Sequence, residues 1–159
     1  MGNHGCIGGG IVRGFNYVLK NAGVVTEEAY PSHLEDQAPG NCSYGRADLA
    51  GRISGYVNVS ANDTLLEFAL TQNPVATAVD AHHRDFLFYD SGVFTSDECT
   101  DQVTHGVLLV GYGETEEGEP YWTVKNSWSE FWGEDGYMRI SRRPVGLCGI
   151  GAEAYFPVL

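Results

Sequence analysis

Positive charge is scarce in this chain. Nine Lys and Arg stand against 21 Asp and Glu, a formal net charge of −12 over 159 residues. That balance repels a phosphate backbone, so nucleic acid is not an expected partner. No apolar run approaches the roughly 18–20 residues that a membrane-crossing helix needs, and no membrane partner is expected. The opening Met1-Gly-Asn-His-Gly-Cys6 has neither the basic region nor the apolar stretch of a secretory signal. Cysteine is also sparse. The four are Cys6, Cys42, Cys99 and Cys148, and none forms a Cys-x-x-Cys pair. His4 beside Cys6 comes nearest to half a zinc site, but no second pair of ligands has metal spacing. No metal and no cofactor are therefore expected. Disulfides are the better reading, and four cysteines allow three pairings among which the sequence does not choose.

What is present is apolar content, 43%, spread along the whole chain. It is enough to bury a core and argues against low-complexity disorder. Three triplets have the form of N-glycosylation acceptors: Asn41-Cys-Ser43, Asn58-Val-Ser60 and Asn62-Asp-Thr64. Each triplet alone is a weak signal, and together they look secretory.

Ile11, Phe15, Val18 and Leu19 recur at helical spacing after a Gly-rich turn, and Gly23 stops the pattern. The spacing predicts an amphipathic helix over 8–22 whose apolar stripe is core. Residues 24–52 are turn-rich. Tyr56–Val59 reads as a strand. Asn62 or Asp63 caps a short helix carrying Leu65, Leu66, Phe68, Ala69 and Leu70, which Pro74 ends. Val75–Val79 reads as a buried strand and Phe86–Tyr89 as a helical turn. Strands follow at Val107–Tyr112, Tyr121–Val124, Gly136–Ile140 and Ala154–Phe156, with a polar turn at Glu114–Glu119. Sequential strands with short polar turns favour an antiparallel sheet or barrel.

Folding the chain back at that polar turn places His105 opposite a position near 126–128. Asn126 lies there, so an imidazole and a carboxamide should meet across two paired strands. A nucleophilic thiol or hydroxyl needs a base, and His titrates near neutrality. The base needs a third group to fix its ring and tautomer. A neutral Asn serves a thiolate–imidazolium pair, which already holds both charges. The alternative is a surface histidine and an unrelated Asn at a strand end.

The surrounding sequence decides between them. Thr104-His-Gly-Val-Leu-Leu-Val-Gly-Tyr-Gly113, Tyr121-Trp-Thr-Val-Lys-Asn-Ser-Trp128 and Trp132-Gly-Glu-Asp-Gly-Tyr137 closely resemble the signature of papain-like cysteine proteases, the cathepsin L-like group. Asn3-His-Gly-Cys-Ile-Gly-Gly9 resembles that family's GCxGG turn. Cys148-Gly-Ile150 and Tyr155-Phe-Pro157 resemble its C-terminal end. The resemblance implies an α+β, papain-like fold. Residues 1–54 would be the remnant of the helical left domain, and 55–159 an antiparallel, barrel-like right domain. It also implies a cysteine endopeptidase acting on polypeptides, lysosomal or secreted, with cystatin-type inhibitors as possible partners.

By the same resemblance His105 is the acid/base, Asn126 its orienter, and Trp128 the indole that covers their hydrogen bond. Trp132 walls the primed side of the cleft. Gly8 and Gly9 let an extended substrate backbone approach closely. Cys99 pairs with Cys148, whereas Cys6 and Cys42 pair with residues outside the chain. In the family the base and orienter follow the nucleophile by roughly 130–150 residues. Counting back from His105 puts that cysteine roughly 25–45 positions before Met1. The chain is thus expected to be a fragment that lacks the nucleophile and one oxyanion donor, and whose partner is the missing N-terminal segment. It is also expected to be poorly stable alone, with Ile11, Phe15 and Leu19 uncovered.

Two positions depart from the family's habit. Thr104 stands where many relatives have Asp or Asn. Ser129 stands where Gly is usual, at a cost of about 1 kcal/mol if its φ is positive. Glu153, in Cys148-Gly-Ile-Gly-Ala-Glu153, matches the floor of the S2 pocket, where a partly buried carboxylate would accept Arg. The alternative there is an exposed Glu at a strand start. The alternative for the whole chain is an inactive homologue that binds peptides or inhibitors.

Overall fold

The computed structural model describes residues 2–31, 49–59 and 62–159. The chain divides into two compact units, Met1–Val57 with Pro157–Leu159, and Asn58–Phe156. The expectations for Asn41 and Cys42 lie outside the described residues.

In the first unit a 3-10 turn, Gly5–Ile7, precedes helix α1, Ile11–Lys20. Gly10 caps α1 in extended conformation, and its N–H donates to Asn3 Oδ1 at 2.8 Å. The apolar stripe expected to be core is only half-buried, and no residue of α1 is buried. Phe15 stacks on Tyr56 at 5.3 Å between centroids, which covers one ring and leaves the rest of the stripe partly open.

The second unit holds the core. Its elements are α2 (Asp63–Leu70), β2 (Val75–Val79), α3 (Arg84–Leu87), β3 (Val93–Phe94), β4 (His105–Glu114), β5 (Pro120–Lys125), β6 (Tyr137–Ser141) and β7 (Ala154–Val158). With β1 (Gly55–Asn58) the strands form one seven-stranded sheet in the order β1-β7-β2-β4-β5-β6-β3. The pairings β2–β4, β2–β7, β4–β5 and β5–β6 are antiparallel. β3 joins β6 in parallel, a strand too short to show any periodicity in the sequence. The mixed α+β architecture expected from the sequence is the one observed.

Strand alternation accounts for the buried face. Val107 and Leu109 on β4, Trp122 and Val124 on β5, and Met138 and Ile140 on β6 all point inward. α2 starts where Asn62 Oδ1 accepts the Leu65 N–H at 3.1 Å, and it buries Leu66 and Ala69. The buried polar Thr77 is satisfied, its Oγ1 accepting the Gly151 N–H at 3.1 Å. Among the described residues no helix is long and apolar enough to cross a membrane.

Candidate active site

Two strand pairings place His105. Its backbone pairs with Val79 of β2, and β4 runs from it into the hairpin with β5. The hairpin closes at Thr115–Glu119, where the Thr115 N–H donates to Glu119 O and the Gly118 N–H to Thr115 O, both at 3.0 Å. Gly118 has φ +83°, a conformation that glycine adopts without strain. Leu108 pairs with Lys125, a register that carries back to His105 against Trp128. A bulge between Leu109 and Gly111 sets this offset.

Asn126 sits just past the end of β5, its N–H held by Gly136 O at 3.0 Å. Its Oδ1 accepts the Ser127 N–H at 2.7 Å, and this identifies the oxygen of the carboxamide. The same oxygen lies 2.8 Å from His105 Nε2. Nε2 must then carry the proton and donate. Nδ1 is left to accept or hold a second proton, and it has no hydrogen-bond partner among the described residues. Asn126 Nδ2 is buried without a partner among them. The Trp128 ring lies over the imidazole at 4.7 Å and 31°. Such a cover excludes water and strengthens the bond beneath it. The geometry therefore brings together His105, Asn126 and Trp128.

Trp132 extends this aromatic wall. It meets Trp128 edge-on at 5.5 Å, and its Nε1–H donates to Leu87 O at 3.1 Å. Phe86 closes the back, edge-on to Trp128 at 5.7 Å. The loop carrying both tryptophans is strained into shape. Ser129 has φ +74°, the positive value that glycine would hold at lower cost, and Asp135 has φ +53°. A side chain at Gly133 would sit 2.5 Å from Tyr137 O.

A polar network that the sequence reading missed supports this loop. The Glu134 carboxylate receives Arg139 Nε at 2.9 Å and the Gly92 N–H at 2.9 Å. The Tyr89 hydroxyl donates to Gly92 O at 2.6 Å and accepts the Arg139 N–H at 3.3 Å. The Arg139 hydrogen bond, outweighing burial, holds the Glu134 carboxyl below its ordinary pKa of 4.5, and Glu134 in turn raises Arg139. Burial pushes the Tyr89 hydroxyl up. A carboxylate with a depressed folded pKa stabilises fully above its unfolded value and loses that contribution as the pH falls through the folded one. Glu134→Gln is thus expected to cost about 1–2 kcal/mol at pH 7, discounted for partial exposure. Urea unfolding should show the gap to wild type narrowing as the pH is taken below 4.5.

Cys99 and Cys148 are joined, with an S–S distance of 1.99 Å, tying the approach to β4 to the turn before β7. Glu153 lies in that turn and is exposed rather than partly buried, because the turn carries it outward between buried Gly151 and buried Ala154. Gly8 and Gly9 belong to the first unit. Gly8 has φ +114°, and a side chain at Gly9 would collide with the Asn3 amide.

A second polar cluster was also missed. Asp80, directly after β2, is fully buried beside His82 and His83. Burial raises its pKa, but hydrogen bonds from the Thr100 N–H, the Thr100 hydroxyl and His82 outweigh this and hold it at about 2. The local signal is the run Asp80-Ala-His-His83, three potential ligands within four residues and none of them a cysteine.

Comparison with known proteins agrees with this geometry. The family profile described as papain family cysteine protease matches residues 1–158. A cathepsin L-like protein of Caenorhabditis elegans is 42% identical over 161 residues, covering 99% of this chain and 47% of that protein. Vignain of Vigna mungo is 42% identical over 161 residues, covering 98% and 43%. The chain spans about half the length of these curated relatives. The solved structure of the bromelain protease from Ananas comosus, in complex with an inhibitor, superposes with a TM-score of 0.90 at 35% identity, covering 99% of this chain and 73% of that one. With 158 of its 159 residues matched by that profile, the chain belongs to the papain family of cysteine proteases.

Proposed function

We propose that these residues supply the acid/base side of a cysteine endopeptidase acting on polypeptides. The observation that carries this reading is the 2.8 Å bond between His105 Nε2 and Asn126 Oδ1 beneath the Trp128 ring. With Nε2–H committed to Asn126, Nδ1 takes the proton from a thiol. The thiolate attacks the scissile carbonyl, and Nδ1–H then protonates the leaving amine. Water hydrolyses the resulting thioester with His105 as base. The thiol comes from residues beyond these 159, on an N-terminal segment that also partners Cys6 and Cys42. Gly8 and Gly9 pair with the substrate backbone, and Trp132 flanks its primed side.

The protein acts in a lysosome or outside the cell. The Cys99–Cys148 bridge supports an oxidising route of synthesis. Cystatin-type inhibitors are partners of the assembled cleft. Glu153 sets specificity at the P2 residue. Its exposed carboxylate is free to pair with a guanidinium, so both Phe-Arg and Arg-Arg substrates are cleaved. Glu153→Ala should lower the Arg-Arg to Phe-Arg ratio of kcat/KM by about tenfold, the value of one charged hydrogen-bonded pair. An unchanged ratio would remove Glu153 from the pocket.

The reading as a whole is tested by assaying the protein, expressed from its native gene, on those two substrates. Hydrolysis that a thiol reagent abolishes supports it. Tight peptide or inhibitor binding without hydrolysis would instead mark an inactive homologue.

A further inference from the structure

We propose that Asp80, His82 and His83 form a binding site for a divalent transition-metal ion of the zinc class. Their ligating atoms converge, all lying within 4.8 Å of one another. His82 Nδ1 contacts Asp80 Oδ1, and His83 Nε2 lies 3.3 Å from Asp80 Oδ2. The two imidazole rings lie against each other at 4.0 Å between centroids and 37° between planes.

Several features distinguish this from an ordinary ion-paired cluster. Asp80 Oδ2 is already anchored by the Thr100 N–H at 2.8 Å and the Thr100 hydroxyl at 2.9 Å, which fixes the carboxylate with Oδ1 toward His82 and Oδ2 toward His83. His83 Nε2 is buried and makes no hydrogen bond, although it is close to that carboxylate. A buried nitrogen aimed at a carboxylate without bonding it suits a position where a cation sits between them. The other nitrogen of the same ring, Nδ1, faces Glu98 at 3.9 Å.

The chemistry of the set narrows the ion. Two imidazoles and one carboxylate suit zinc and its neighbours, whereas calcium and magnesium prefer oxygen alone. Three protein ligands leave a fourth, open position for water. Admitting the ion requires His82 to swing away from Asp80. Its side chain is 58% exposed, so little packing resists that movement. His83 is held more firmly, at 18% exposure, where it precedes α3 in extended backbone conformation. This site is independent of the thiol chemistry proposed above, and its test does not depend on activity.

Calorimetric titration with ZnCl2 of the protein expressed from its native gene, its free thiols first blocked with iodoacetamide, measures the site directly. One saturable equivalent is expected, with calcium chloride failing to compete. His82→Ala and His83→Ala should each weaken zinc binding by about tenfold or more. Circular dichroism checks that each variant folds. If His83→Ala does not fold, His82→Ala, on an exposed side chain, decides alone. No saturable binding, or wild-type affinity in a folded variant, would overturn the proposal.

Discussion

Under the proposed function, His105→Ala is expected to lower kcat/KM for peptide hydrolysis by about ten-thousand-fold, while leaving stability within about 0.5 kcal/mol of wild type. The imidazole is half-buried at the start of β4, and β4 is held by its pairings with β2 and β5 rather than by this side chain. Its polar function is different in kind. In the proposed mechanism it takes the thiol proton and later returns it to the leaving amine, so its loss should remove the proton carrier from both halves of the reaction together. A loss of that size corresponds to ~5 kcal/mol of transition-state stabilisation. Asn126→Ala should cost less, because Asn126 acts through His105 and the Trp128 ring still restrains the imidazole at 4.7 Å. The comparison needs steady-state kinetics of both variants, with thermal melts alongside. Equal losses in the two would mean that the pair acts as one unit.

Trp122→Ala should destabilise the second unit by about 3–5 kcal/mol, lowering Tm by about 10 °C or more. Trp122 is 1% exposed on β5, between Tyr112 of β4 and Ile140 of β6. The Arg142 guanidinium lies over its ring at 4.3 Å, and Tyr112 meets it edge-on at 6.0 Å. Truncation therefore opens a cavity and also removes the aromatic face from a half-buried guanidinium that is ion-paired with Glu67 and Asp63. Phe131→Ala, at a ring that is 92% exposed, should shift stability by no more than about 0.5 kcal/mol. Differential scanning calorimetry separates the two. Similar effects would mean that packing in the sheet does not govern stability.

The hairpin was legible before any coordinates because its polar turn is long, charged and bounded by apolar strands. The turn position alone brings His105 toward Asn126. The bulge at Leu109 was not legible. It shifts the ladder by one residue before Leu108 pairs with Lys125, and Asn126 reaches the imidazole from beyond the strand end. α2 was legible for a local reason, since Asn62 caps it and Pro74 follows. The fate of the α1 stripe was not, because periodicity reports which face is apolar and not how completely something covers it.

The polar networks show the sharper limit. Glu134, Arg139 and Tyr89 come from three segments, and nothing local in any of them announces the other two. Asp80, His82 and His83 are neighbours in sequence, but their convergence depends on Asp80 being buried and anchored by Thr100. For Glu153 the sequence left partial burial and exposure both open, and the turn that precedes β7 leaves it exposed.

The acid/base role of His105 is tested most directly by the rate of thiol alkylation with iodoacetamide at about pH 5, in the protein expressed from its native gene. An ordinary thiol, with a pKa of about 8.5, is almost wholly protonated and unreactive at that pH. A thiol paired with the imidazole held by Asn126 is ionised there, so we expect one cysteine to react rapidly and His105→Ala to slow it by about a hundredfold or more. Equal alkylation rates in wild type and His105→Ala would contradict the assignment of His105 as the base.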